Sequence, residues 1–128
     1  MPRLPDVEAL VVAFLAEHLD APVHVTIPNP RPTPLVRVQR TGGPARNRVM
    51  DETQVTVQAW GTTGVEAAGL IGEARDLLLN AATRDGITLL RRAEDVSGVY
   101  YDPDPDNPDP RYTVTVRLTV RATTAAQA

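Results

Sequence analysis

Residues 51–80, DETQVTVQAWGTTGVEAAGLIGEARDLLLN, read as one strand, one turn and one helix. From Gln54 to Trp60 polar and apolar residues alternate, with Val55, Val57 and Ala59 on one side and Gln54, Thr56 and Gln58 on the other. That is the two-residue period of a half-buried strand. The alternation stops at Gly61. Thr63 is placed to cap a helix, with Glu66 three residues on to complete a capping box. Ala67, Leu70, Ile71, Ala74, Leu77, Leu78 and Ala81 then form an apolar stripe at helical spacing. A strand therefore hands its chain to a helix that must cover a sheet.

The same logic extends toward the N-terminus. Pro5 suits the first turn of a helix and Asp6 and Glu8 suit its positive end. Val7, Leu10, Val11, Phe14 and Leu15 supply an apolar face, and the helix is expected to end near Leu19. VHVTI at 23–27 alternates as a first strand. PNPRPTP at 28–34 is too rich in proline for helix or interior strand and reads as a stiff connector. LVRVQRT at 35–41 is a second strand, with Val36 and Val38 opposite Arg37 and Gln39, closed by Gly42-Gly43. The loop that follows carries Arg46 and Arg48 beside glycines but lacks the lysine and hydroxyl of a phosphate-binding loop.

Beyond the central helix, Asp85-Gly86 supplies a reversal. A fourth strand is expected from Ile87, as ITLLRR, with a bulge around residues 93–98 and a resumption at Val99-Tyr100-Tyr101. The last strand is the clearest, with Tyr112, Val114, Val116, Leu118 and Val120 alternating with Thr113, Thr115, Arg117, Thr119 and Arg121. The sum is an α+β domain, one mostly antiparallel (mixed) sheet of about four to five strands with two helices on one face. It is expected to be a single domain over residues 1–128, with an ordered core at about 5–121 and a frayed tail at 122–128.

Composition narrows what such a domain can do. The chain has no cysteine, which removes disulfides, thiolate metal sites and cysteine nucleophiles. All 13 basic residues are arginine, yet the formal charge is -3, so there is no basic excess for nucleic acid. No stretch reads as a secretory leader or a membrane span, and a soluble, unprocessed chain is expected. His18 and His24 lack a third ligand for a metal site. Asp102, Asp104, Asp106 and Asp109 have a faintly calcium-like spacing in DPDPDNPDPR, but alternating Asp-Pro holds carboxylates apart, and an EF-hand's glycine and glutamate are missing. This reads as a solvated acidic projection. Ser97 and scattered threonines have no nucleophile turn, and no carboxylates pair on strand ends. No catalysis, cofactor or metal is expected.

In order and spacing, the amphipathic first helix, IPNPRPTPLVRVQRTGG, the strand VTVQAWG, the helix with ARDLLL, and PDPDNPDPRYTVTVRLTVR resemble the tail terminator proteins of long-tailed bacteriophages. The likeness covers about residues 5–121. It implies a structural virion protein of the tail and neck, assembled in the host cytoplasm. Copies would form a ring, usually hexameric, that caps the tail tube, ends its polymerisation and offers the head an attachment surface. The implied partners are further copies of the chain, the tail tube protein and head-tail connector proteins, with no membrane. DNA would pass through without specific binding. Another neck adaptor, or a small non-catalytic ligand-binding module, fits the same size and pattern.

A closed ring needs a heterologous interface. Arg37, Arg40, Arg46, Arg48, Gln54, Thr56, Gln58, Arg117 and Arg121 are expected on one sheet face and its adjoining loop, where subunits would meet. Asp102, Asp104, Asp106 and Asp109 are expected to line the lumen, repelling phosphate from its wall.

Overall fold

The segment that decides the fold sits at the centre of the sheet. The computed structural model describes residues 2–3, 6–42, 50–82, 90–121 and 123–124. In chain order the elements are β1 (Pro2–Arg3), α1 (Val7–His18), β2 (Val23–His24), β3 (Leu35–Gly42), β4 (Met50–Trp60), α2 (Gly64–Asn80), β5 (Leu90–Asp95), β6 (Tyr100–Tyr101), β7 (Arg111–Arg121) and β8 (Thr123–Thr124). The main sheet has six strands in the order β2-β3-β4-β7-β5, with β6 pairing the other end of β7. β1 and β8 form a separate antiparallel pair, Pro2 opposite Thr124 and Arg3 opposite Thr123. The expected tail after Arg121 therefore includes two residues of paired strand.

β4 and β7 are antiparallel in unbroken register, from Met50 opposite Arg121 to Trp60 opposite Arg111. Side chains alternate across a strand, so one register sets two faces. Val55, Val57 and Ala59 lie on the same side as Val114, Val116, Leu118 and Val120, and with Val36 and Val38 of β3 they form the floor of the core. Both helices pack onto that floor. Val11, Leu15, Ala67, Ile71, Ala74 and Leu78 are fully enclosed. Burial of each of the valine, leucine and isoleucine side chains among them stabilises the fold by roughly 1.5–3 kcal/mol relative to exposure.

The helix starts follow their sequence signals with two adjustments. Asp6 caps α1, its Oδ1 accepting from the Ala9 amide at 3.1 Å, while Pro5 lies outside the described residues. At α2 the Thr63 hydroxyl accepts from the Glu66 amide at 3.1 Å, but Glu66 Oε1 accepts from the Thr62 amide, one residue before the cap, at 2.8 Å. The box closes on the turn that delivers β4 to the helix.

Two other expectations differ, and a third is not reached by the described residues. The first strand covers only Val23–His24 and runs parallel to β3, because the proline-rich connector carries the chain back before β3 begins. In the fourth strand, pairing to β7 shifts between Leu90 and Arg92, and the break before Tyr100 falls at 96–99. There the Ser97 Oγ accepts from the Thr115 amide at 2.9 Å in place of a backbone partner. Lastly, the expected reversal at Asp85-Gly86 and the start at Ile87 lie outside the described residues, as does the loop with Arg46 and Arg48. Among the described residues no helix is long and apolar enough to cross a membrane.

Gly61 is required where β4 turns into α2. A Cβ there would come within 2.6 Å of the Ala67 amide nitrogen, a backbone atom that cannot step aside alone. Gly61→Ala is expected to lower unfolding free energy by about 1–3 kcal/mol in urea titrations, the cost of overpacking. A Cβ on Gly72, inside α2, meets nothing within 4 Å. Gly72→Ala is expected to raise it by about 0.8–1.0 kcal/mol through helix propensity.

Candidate functional site: the open face of the sheet

The face of the sheet away from the helices carries the side chains of alternate positions from β3, β4, β7 and β5. Its middle is a ladder of small hydroxyls. Thr41 and Thr56 share a hydrogen bond at 3.1 Å, and Thr56 and Thr115 share one at 2.9 Å. These threonines lock neighbouring strands together and leave the face low and flat. Gln39 stands directly across from Thr56, and Gln54 directly across from Arg117.

The arginines expected on this face separate into different environments. Arg37 bonds the Gln58 side chain directly opposite it, through Nε at 2.8 Å and through Nη2. Arg117 and Arg121 do lie on the open face, and neither guanidinium has a hydrogen bond or ion pair among the described residues. Glu94, opposite Arg117, is taken by Arg92 on its own strand at 3.0 Å. Arg40 belongs to the other side. It pairs in register with Val55, and its guanidinium reaches the fully buried Asp51, Nη1 to Oδ2 at 3.2 Å. Asp51 also accepts from Thr53 at 2.9 Å, while the Arg40 amide donates to Glu8 of α1 at 2.7 Å. Strand parity is the reason, since an even-numbered residue of β3 shares the side of Val36 and Val38. Arg46 and Arg48 lie outside the described residues.

One end of the open face is not open. Trp60 is fully buried and points to this side with Leu35, its neighbour in register, and neither belongs to the core beneath the helices. Two loops cover them. The guanidinium carbons of Arg31, Arg111 and Arg37 stand 4.6, 5.5 and 5.6 Å from the indole centroid, within cation-π range. The indole Nε1 donates to Asp104 Oδ2 at 3.0 Å. The same carboxylate faces Arg31 at 3.6 Å and Arg111 at 3.9 Å. Asp102 joins from the side, accepting from Thr113 at 2.9 Å and facing Arg111 at 3.3 Å. Arg31 Nε and Nη2 are buried without a hydrogen bond among the described residues, so there the ring face and Asp104 hold that guanidinium.

This changes the picture of the acidic segment. Asp102 and Asp104 turn inward onto arginines and the indole, and Asp109 accepts from Thr33 of the proline-rich connector at 3.0 Å. Asp106 remains exposed, its amide bonded to Asp104 Oδ1 at 2.9 Å. An extended, solvated projection gives way to a strap, because two guanidinium groups, Arg31 and Arg111, and an indole N–H lie within reach of its carboxylates. The sequence did carry a signal for the Trp60 cluster. Trp60 falls in the alternation with Gln54, Thr56 and Gln58, and an indole on a polar face needs a cover.

Charge follows this geometry. Burial, then the neighbouring Arg111 and Arg31, lower the pKa of Arg37 against the opposing pull of Asp104. Burial alone would raise the pKa of Asp104, but the Asp106 amide, Trp60 and the two arginines outweigh it and hold the carboxyl below its usual range. Among the described residues no group of three or more histidine, aspartate or glutamate side chains is placed to hold a metal. The arrangement can fix two loops rigidly at one end of a flat, hydrogen-bonding surface.

The profile of a family described as Phage tail termination protein matches residues 3–126 of this chain. A search of curated proteins finds no significant match.

Because its pKa is depressed, Asp104 contributes stability that is present above the ordinary aspartate pKa of about 3.9 and lost as pH falls through the lower folded value. Trp60 is the chain's one tryptophan, so its emission reports the strap directly. The emission is expected to hold steady down to about pH 3.9 and to red-shift only below it. Asp104→Ala is expected to red-shift it at neutral pH and to cost about 2 kcal/mol, as for loss of a charged hydrogen-bond partner. Unchanged emission in that variant would contradict the assignment.

Proposed function

Since the chain belongs to the phage tail termination protein family, and is thereby a structural component of a phage tail, we propose that its copies close into a ring, six-membered on the family's pattern, which caps the tail tube. In this reading the ring ends tube growth because its outward end differs from the tube and cannot template another layer. That same end offers the filled head its attachment surface through connector proteins. Termination by a ring needs no catalysis. It needs one surface that binds the next copy, one that binds the tube and one that does not resemble the tube.

The observation that supports this reading best is the asymmetry of the sheet. Its helix-bearing side is a sealed core, while its other side is flat, polar and arginine-bearing, with Arg117 half-buried and unpartnered among the described residues. Subunit contact on that side would involve Arg37, Gln54, Thr56, Gln58, Arg117 and Arg121. Arg40 and the loop with Arg46 and Arg48 would contribute from its margin. Arg37 already serves Gln58 and Trp60 within the fold, which leaves Arg117 and Arg121 as the freer contacts.

The strap at 102–109 faces the lumen in this reading, with Asp106 as its outermost carboxylate. Like charge would then keep passing DNA from adhering.

The direct test is to polymerise the tail tube protein with and without this chain and to measure tube lengths by electron microscopy. Short tubes with extra density at one end are expected; unchanged lengths and bare ends would sink the proposal. A chain carrying both Arg37→Ala and Arg117→Ala is expected to lose ring assembly in native mass spectrometry. An unaltered ring would move the interface off this face, and a ring reconstruction with the strap on its outer rim would remove the lumen assignment.

A further inference from the structure

The open sheet face has a counterpart of opposite charge on the far side of the same molecule. Along the outer surface of α2 runs a depression of about 610 Å³, lined by Gly69, Gly72, Glu73, Asp76 and Leu77 among others. Glu73 is exposed and has no hydrogen bond or ion pair among the described residues. Asp76 meets Arg75 at 3.5 Å but keeps 74% of its side chain accessible. Arg75 is shared between Asp76 and Asp95 on β5, which takes its Nε and Nη2, so one guanidinium stands against two carboxylates. The helix thus presents the unpaired Glu73 carboxylate beside a largely accessible Asp76, and the sheet presents guanidinium groups at Arg117 and Arg121 without a partner among the described residues.

We propose that the acidic outer side of α2 in one copy docks onto the open sheet face of the next copy, Glu73 and Asp76 meeting Arg117 and Arg121. The occupant of each surface is then a second copy of this chain. This rests on the ring reading above and says which surface meets which. Charge complementarity selects the pairing, since an acidic helix against an acidic helix, or an arginine face against another, would repel. Shape agrees with it. The ladder of Thr41, Thr56 and Thr115 stands low, and a helix surface without Cβ atoms at Gly69 and Gly72 can approach it closely.

Position supplies the consequence. α2 lies on one side of the sheet and the arginine face on the other, so two copies cannot satisfy both surfaces in each other. The contact is heterologous. Each copy added leaves one surface of each kind exposed until the row of copies closes on itself.

The test uses the full chain under conditions where it assembles, alone or on tube ends, followed by native mass spectrometry. Glu73→Arg and Arg117→Glu are each expected to lose assembly, and the chain carrying both to recover it. An independent readout exploits the absence of cysteine. Gly72→Cys and Gln54→Cys chains, each shown folded by circular dichroism, are mixed and mildly oxidised, and a disulfide joining the two variants is expected. If both charge reversals assemble like the unaltered chain and no mixed disulfide forms, the pairing is overturned while the ring stands. If the unaltered chain fails to assemble even on tube ends, the ring reading falls and this pairing with it.

Discussion

The ladder between β4 and β7 is the constraint on which the rest of the molecule depends. Eleven consecutive positions pair without a shift, from Met50 with Arg121 to Trp60 with Arg111. A slip of one residue would send every valine to solvent and every arginine to the core. Because that slip is prohibitive, the two faces are fixed together. The valines compel the helices to one side, and the same register places glutamines, threonines and arginines on the other, whether or not anything there is needed for folding. A polar, flat surface is therefore a by-product of building the core, available for recognition at little cost to stability.

The Trp60 cluster shows where the polar face is made rigid. Three guanidinium groups crowd one indole, and their mutual repulsion is opposed by Asp104 and Asp102. Pairing of this kind is sensitive to geometry, since a carboxylate so placed is stabilising only while its partners stay in reach. The proline-rich connector brings Arg31 and Thr33, the strap brings Asp102, Asp104 and Asp109, and the sheet brings Arg37, Arg111 and Trp60. Segments distant in sequence are held as one body at the end of the sheet.

Much of this is legible in the sequence. The periods of β4, α2 and β7 are local properties, and Val55, Val57, Ile71, Leu78, Val114 and Val116 fall where those periods put them. What was not legible depends on where separate segments meet. The parallel pairing of β2 with β3 is decided by the path of the proline connector, which has no period to read. The inward turn of Asp104 requires knowing that Trp60 and two arginines wait beneath it, whereas Asp-Pro alternation alone argues for extension. Arg40 falls on the other side of the sheet for a simpler reason. Its residue type suggested the polar face, while its parity with Val36 and Val38 put it beside Asp51.

The bond from the Arg40 amide to Glu8 has a bearing on how such a protein can associate at all. β2 ends at His24, opposite Arg37, so beyond that point β3 is an edge strand whose outward N–H groups could recruit a foreign strand. Glu8, projecting from the first turn of α1, occupies the Arg40 amide at 2.7 Å and puts a carboxylate where an incoming backbone would have to lie. The edge is plugged by the chain's own helix. Indefinite growth by strand addition is thereby discouraged at that margin, and association is steered toward side-chain surfaces whose geometry can bring it to a halt.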